Sequence, residues 1–212
     1  MINIYPPNIL PTPTPSPFYS SARVYVELEG VLMNFTEKAA IALDNLQIPI
    51  STTGILVDPN PVYTLTSKEI TYDICSGFDF YSNMNKYRWS DILFEEIFRL
   101  TRGNIYFVSR QNTWDREAWG GKAQWVWKSF GQAMYDRLIM ISDENVVSPT
   151  LRLESKDILI SSVLTPYILN WCSIGGTGVH WSELDWRSNE SIVATELSSR
   201  LHLLTTTISE VG

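Results

Sequence analysis

Six side chains in this sequence, five at the ends of expected strands and one in the first turns of a helix, are of the right type to form one chemical site. They are Glu27 and Glu29, Ser109, Lys122, and the adjacent Ser161 and Ser162. Two carboxylates two positions apart on a strand lie about 6.6 Å from each other at about 3.3 Å per residue. With no cation nearby, their repulsion raises at least one of the two pKa values instead of creating a nucleophile. Taken alone, the same pair is what the polar face of a half-buried strand carries. Ser109 alone reads as a strand-end serine capping a turn, and Lys122 alone as a solvated helix residue. Ser161 or Ser162 is a nucleophile only with a base beside it. The chain has two histidines, His180 and His202, and sequence places neither there.

The elements that must position these groups alternate between strand and helix. Val24, Val26 and Leu28 alternate with Tyr25, Glu27 and Glu29 in a period-2 run ending at Gly30. A helix over 34–46 follows, then a stretch over 47–88 of weak periodicity that reads as a small insertion. Ser90 is placed to cap a helix with Leu93, Phe94, Ile97, Phe98 and Leu100 on one face, stopped at Gly103. The next strand is Ile105–Ser109, followed by a helix from Asp115 to Phe130 closed by Gly131. Leu138–Ile141 and Ile158–Ser161 read as short buried strands. A helix over Leu164–Trp171 and a last strand near Gly178–Trp181 complete the pattern. Near-continuous apolar strands separated by helices imply a parallel sheet covered on both faces, which binds its ligands at the carboxyl ends of the strands.

Composition narrows the functions open to such a domain. The chain has 212 residues, 44% of them hydrophobic, enough for one domain with a full core. Its net charge of -7 removes any general attraction to phosphate backbones or anionic membranes. Cys75 and Cys172 are too few for a disulfide framework or a Cys-rich zinc site, and two histidines exclude most zinc-hydrolase designs. No apolar run approaches the roughly 18 residues of a membrane span. The N-terminus has no basic segment before an apolar one, so a cytoplasmic site of synthesis is expected, and the Asn34-Phe-Thr36 and Asn189-Glu-Ser191 sequons read as coincidental. Eight tryptophans are enough that some are expected to reach a protein interface.

The termini have a different character. Residues 1–21 hold Pro6, Pro7, Pro11, Pro13, Pro15 and Pro17, interleaved with Ser and Thr, which predicts an extended polyproline-II arm. Tyr5, Ile9, Leu10, Phe18 and Tyr19 give that arm apolar anchors, so it reads either as a solvated tail or as a segment that lies on a partner. The domain is expected over 22–190, and 191–212 is read as a Ser/Thr-rich C-terminal tail.

The strand-end residues and their flanks resemble the haloacid-dehalogenase (HAD) superfamily, in particular its small 5′(3′)-deoxyribonucleotidase-like phosphatases of bacteria and phages. Val24-Tyr-Val-Glu-Leu-Glu-Gly-Val-Leu-Met-Asn-Phe35 is similar to the first motif, a strand ending in Asp-x-Asp-Gly-Val. Ile105–Ser109 is similar to the second, ending in Ser or Thr, and Gly121-Lys122-Ala-Gln-Trp125 to the Lys motif. Ile158-Leu-Ile-Ser-Ser162, continued by Asn170-Trp171 and Gly175-Gly176-Thr-Gly178-Val179, is similar to the fourth motif with its Asp pair. Asp136–Ile139 and Gly77–Tyr81 also resemble the family, so the likeness runs from about residue 23 to 182. It implies a Rossmann-like, three-layer α/β fold, with 47–88 in the place of the cap that gates substrate.

In active members the first Asp forms an aspartyl-phosphate and the second is the acid and base. Ser/Thr and Lys hold phosphate oxygens, and Mg²⁺ is bound with a fourth-motif Asp. Here those positions hold Glu27, Glu29, Ser161 and Ser162, and only Ser109 and Lys122 are retained. An extra methylene moves the reacting oxygen by roughly an ångström, which can cost on the order of 10²-fold in rate. Two serines also remove two anionic ligands from a metal that needs hard, charged oxygens. The site therefore reads as retired: a pseudoenzyme that holds no metal and serves a structural or binding role with protein partners. A phage virion or assembly component is the specific expectation. The alternatives are a residual Mg²⁺-dependent phosphatase or nucleotidase, and a nucleotide or phosphate sensor that keeps Ser109 and Lys122.

Overall fold

In a computed structural model of the chain, the structure describes residues 22–45, 75–111, 115–142, 157–162, 168–181 and 190–211. The Pro-rich arm, residues 47–74 of the expected insertion, Trp114, Trp186 and Asn189 lie outside these ranges. So does 164–167 of the helix expected before Trp171.

Five strands form one all-parallel sheet: β1 (Val24–Glu27), β2 (Ile105–Gln111), β3 (Leu138–Ser142), β4 (Ile158–Ser161) and β5 (Thr177–His180). Their spatial order is β3-β2-β1-β4-β5. From β1 the chain builds outward through β2 to β3, then returns to lay β4 against the other side of β1. Strand order reverses between β1 and β4, the place where open parallel sheets leave a crevice at their carboxyl ends. Glu27 is in register with Val108, and Val26 with Ile160. The ends of β1, β2 and β4 therefore lie side by side.

Alternation along each strand gives the sheet two apolar faces. Val24, Val26, Ile105, Phe107, Ile158 and Ile160 point into the main core. Tyr25, Val108, Ile141 and Leu159 form a second cluster with Trp171 on the opposite face. The described residues form seven helices. These are α1 (Phe35–Asn45), α2 (Gly77–Ser82), α3 (Ser90–Thr101), α4 (Arg116–Phe130), α5 (Gln132–Tyr135), α6 (Leu169–Ser173) and α7 (Glu190–Val211). None of them is long and apolar enough to cross a membrane.

Local chemistry explains where the helices begin and end. Asn34 caps α1, its Oδ1 accepting from the Glu37 amide and its Nδ2 donating to the Glu37 carboxylate. That residue is buried, so the first sequon sits in a structural role. Asp115 caps α4 through the Ala118 amide, and its other oxygen accepts from the Gly77 amide at the start of α2. Close approach of α2 to α4 depends on Gly121, where a Cβ would fall 2.5 Å from the Phe78 carbonyl oxygen. Helix α3 ends as expected, with Arg102 in the left-handed region and the Gly103 amide bonded to the Phe98 carbonyl.

Three expectations are corrected. Ser90 does not cap α3: Trp89 holds the cap position, and the buried Ser90 hydroxyl donates to the Leu32 carbonyl. In that apolar setting the hydroxyl needs an acceptor more than the helix needs a cap. Residues 75–88 are not part of a separate insertion. Met84 and Tyr87 are in the main core, Trp125 Nε1 donates to the Met84 carbonyl, and the Tyr87 amide to the Leu32 carbonyl. The C-terminal segment is not a tail. It is the 22-residue α7, with Leu197, Leu204 and Ile208 in the main core and Thr205 Oγ1 bonded to Glu96 on α3.

Because Leu204 and Ile208 are fully buried, Leu204→Ala and Ile208→Ala should each destabilise the domain by about 2–5 kcal/mol, read by urea unfolding. A change within about 0.5 kcal/mol, as for a surface site, would return 191–212 to the status of a tail.

Candidate functional site

The fold brings the five strand-end residues and Lys122 together. Glu27 is the last residue of β1. Glu29 follows in the tight turn that Leu28 closes by accepting from the Leu32 and Met33 amides. Ser109 lies near the end of β2, Ser161 ends β4 and Ser162 follows it, and Lys122 reaches over from α4. All six are buried. They are not the solvated face of a half-buried strand.

The two carboxylates have separate partners. Glu27 Oε2 accepts from Ser161 Oγ at 2.6 Å, the Ser162 amide at 3.1 Å and Ser162 Oγ at 3.2 Å. The Ser162 hydroxyl shares its proton with the Glu29 carbonyl at 3.4 Å. Glu29 Oε1 accepts from Ser109 Oγ at 2.7 Å and pairs with Lys122 Nζ at 2.8 Å. Lys122 also donates to the Arg110 carbonyl at 2.6 Å and lies 4.8 Å from the centre of the Tyr81 ring.

Sequence reading missed Arg110. Its guanidinium lies 3.6 Å from Glu27 Oε1, an ion pair too long for a hydrogen bond, with both side chains buried. Glu27 and Glu29 are thus matched in number by Arg110 and Lys122. The strand was expected to end at Ser109 but runs to Gln111, and that extension is what draws Arg110 out of water.

Burial pushes the Glu27 carboxyl above its ordinary value. Arg110 and the Ser161 hydrogen bond oppose this, Glu29 adds a smaller upward push, and the Ser162 amide a smaller downward one. The expected carboxylate repulsion is therefore present but secondary to burial. Elsewhere, burial lifts the Cys75 thiol to about 12, too high for a thiolate nucleophile. His180 does come near the serine pair, in register with Ser161, but its Nε2 meets the Ser162 carbonyl oxygen at 3.1 Å. That contact turns the nitrogen away from service as a base for either hydroxyl.

Space at the strand ends is equally restricted. The cavity lined by Glu27, Val108, Ser109, Arg110, Ile141, Leu159 and Ser161 measures about 10 Å³. That is about the smallest void that holds one water, and far below what a phosphate ester needs. The residues present do not fit the Mg²⁺ that the family likeness implies. Glu27 Oε2 and Glu29 Oε1 are taken by hydroxyls, an amide and Lys122, Glu27 Oε1 faces the Arg110 guanidinium, and Glu29 Oε2 has no hydrogen-bond partner among the described residues. The fourth-motif serines direct their protons at Glu27. A divalent ion would also have to enter beside two cations. Among the described residues, no group of three or more His, Cys, Asp or Glu side chains is placed to hold a metal.

A carboxyl whose pKa is raised by folding binds its proton more tightly in the fold. Its contribution to stability is full below the ordinary 4.5 and is lost as pH rises through the raised value. Glutamine does not titrate. The unfolding free energy of wild type relative to Glu27→Gln should therefore increase as pH falls from 7 toward 4.5. A relative decrease over that range would contradict the account of Glu27. No protein-family model and no curated protein matches the chain, so this geometry is what a functional reading of the chain must rest on.

Proposed function

We propose that this chain is a HAD-like pseudoenzyme whose phosphotransfer site has become an internal ion-pair cluster, and that it works as a structural or binding protein. One observation carries the reading: the groups that would serve phosphate chemistry are buried and satisfied by one another. Ser109 and Lys122 hold Glu29, and Ser161 and Ser162 hold Glu27. The convergence of the four motif positions at a topological switch point supports the family likeness. Catalysis needs groups that touch a substrate, and the cavity among the described residues at the strand ends is too small for one.

A role in assembly is supported by what lies outside the cluster. Trp119 and Trp127 on α4 and Phe78 on α2 are exposed, while Trp89, Trp125, Trp171 and Trp181 are core residues. Large aromatic side chains left in water are favoured anchors for protein contacts. The 21-residue Pro-rich arm, with Tyr5, Ile9, Leu10, Phe18 and Tyr19, has the composition of a docking segment. A phage particle or another large assembly is the setting we propose, with protein partners and neither nucleic acid nor membrane.

Hydrolysis of an aryl phosphate tests the catalytic half of the proposal. Wild type should show no turnover with or without Mg²⁺. A variant carrying Glu27→Asp, Glu29→Asp, Ser161→Asp and Ser162→Asp should gain Mg²⁺-dependent turnover if the scaffold is of the proposed type. Wild-type turnover that Mg²⁺ stimulates and Glu27→Gln abolishes would overturn the proposal.

A further inference from the structure

We infer that the segment Pro11–Pro17 of one copy docks across Trp119 and Trp127 of a second copy, so that copies join head to tail. This rests on the assembly role proposed above and names its partner. The two indoles stand eight positions apart on α4, about 12 Å along its axis at about 1.5 Å per residue. Trp119 is 39% and Trp127 49% exposed, while Trp125 of the same helix lies in the core. Ala123 falls between them, one turn from each on the same face, and its small side chain leaves a slot. Phe78 borders that face: its ring lies 3.2 Å from where a Cβ on Gly120 would stand. Two aromatic ridges over a low floor, held on a packed helix, form the kind of surface on which polyproline-II segments stack their prolines.

The arm matches this face in period and in charge. Prolines four residues apart in a polyproline-II chain stand about 12 Å apart, at about 3.1 Å per residue. Pro7, Pro11 and Pro15 have that spacing, and so do Pro13 and Pro17. Such a backbone makes no internal hydrogen bonds, so its carbonyls are open to donors, and an indole offers an N–H as well as a ring. None of residues 1–21 is Asp, Glu, Lys or Arg, so no ion is desolvated when the arm meets the rings. The net charge of -7 on each copy opposes the close approach of two domains. Residues 18–23, which can span up to about 20 Å, let an uncharged arm bridge that gap. Arm and face are different surfaces of one chain, so the contact is heterologous, and its repetition builds a ring or a filament.

Sedimentation velocity of the full-length protein, from about 1 to about 100 µM, tests this. Wild type should pass from monomer to larger species as its concentration rises. Trp119→Ala with Trp127→Ala should weaken association at least about tenfold. Pro11→Ala, Pro13→Ala, Pro15→Ala and Pro17→Ala together should do the same. Mixed, the tryptophan and proline variants should form a one-to-one complex and nothing larger, because one supplies only an arm and the other only a face. Wild type that stays monomeric throughout would overturn the inference, and an arm docked on its own domain would give that result. A proline variant that associates like wild type would also overturn it, assigning the contact to the aromatic faces alone. Failure of the mixture to form a complex would do so too. Should the double tryptophan variant not fold, Trp127→Ala alone, at the more exposed of the two sites, takes its place in the mixture. An inert, monomeric wild type would sink this inference and leave the retired site standing. Hydrolysis of an aryl phosphate would defeat the proposed function and leave the association separately readable.

Discussion

Two carboxylates buried at the end of a central strand must find matching charge or protons, because an isolated ion in a protein interior is far costlier than a paired one. Glu27 and Glu29 meet that constraint with Arg110 and Lys122, and with the hydroxyls of Ser109, Ser161 and Ser162. The partners come from β2, β4 and α4, so the cluster ties three elements to β1 at the point where strand order reverses. Its position follows from topology: β2 and β4, the strands beside β1, end there, and α4 follows β2. The two Glu residues are tolerable because the two cations are present, and the cations because of the Glu residues. Changing one member alone is therefore expected to cost more than the pair it belongs to contributes.

The same constraint separates this site from a working phosphotransfer centre. A catalytic carboxylate must be free to meet its substrate, and donors for phosphate must be unoccupied until it arrives. Here each retained donor already has an acceptor from the chain itself. The longer glutamate side chains, read in the sequence as misplaced nucleophiles, also have the reach to find protein donors. The serines that cannot replace aspartate as metal ligands serve well as donors to Glu27. Substitutions that subtract from metal chemistry thus add to internal satisfaction.

Much of this was legible in the sequence, for physical reasons specific to each residue. Apolar runs placed β2, β3 and β4, because buried parallel strands need near-continuous apolar sequence, and a period-2 run placed β1. The five strand-end positions were readable because each closes or follows such a run, and Lys122 because of its place in the helix after the second strand. Arg110 was not, since a polar residue just past a strand serine looks like the start of a loop until burial is known. The C-terminal helix was hidden by its composition: Ser and Thr at 198, 199, 205–207 and 209 suggested a solvated tail. In fact several of those hydroxyls donate to carbonyls one turn earlier, which lets them sit within a helix. Leu197, Leu201, Leu204 and Ile208 nonetheless follow the spacing of one helical face, the signal that outranks composition. Ser90 shows the opposite failure, a residue of the right type for a cap that burial assigned to another acceptor.

The most direct test of the central claim is fluorine NMR of the wild-type protein with beryllium fluoride and Mg²⁺. That mixture forms a phosphoryl mimic on a carboxylate only where an open nucleophile, a divalent ion and phosphate donors stand ready. A cluster that satisfies itself should leave only the resonances of free fluoroberyllate species, at any Mg²⁺ concentration. A new bound resonance that requires Mg²⁺ and disappears in Glu27→Gln would mean that the site is open, and would contradict the account.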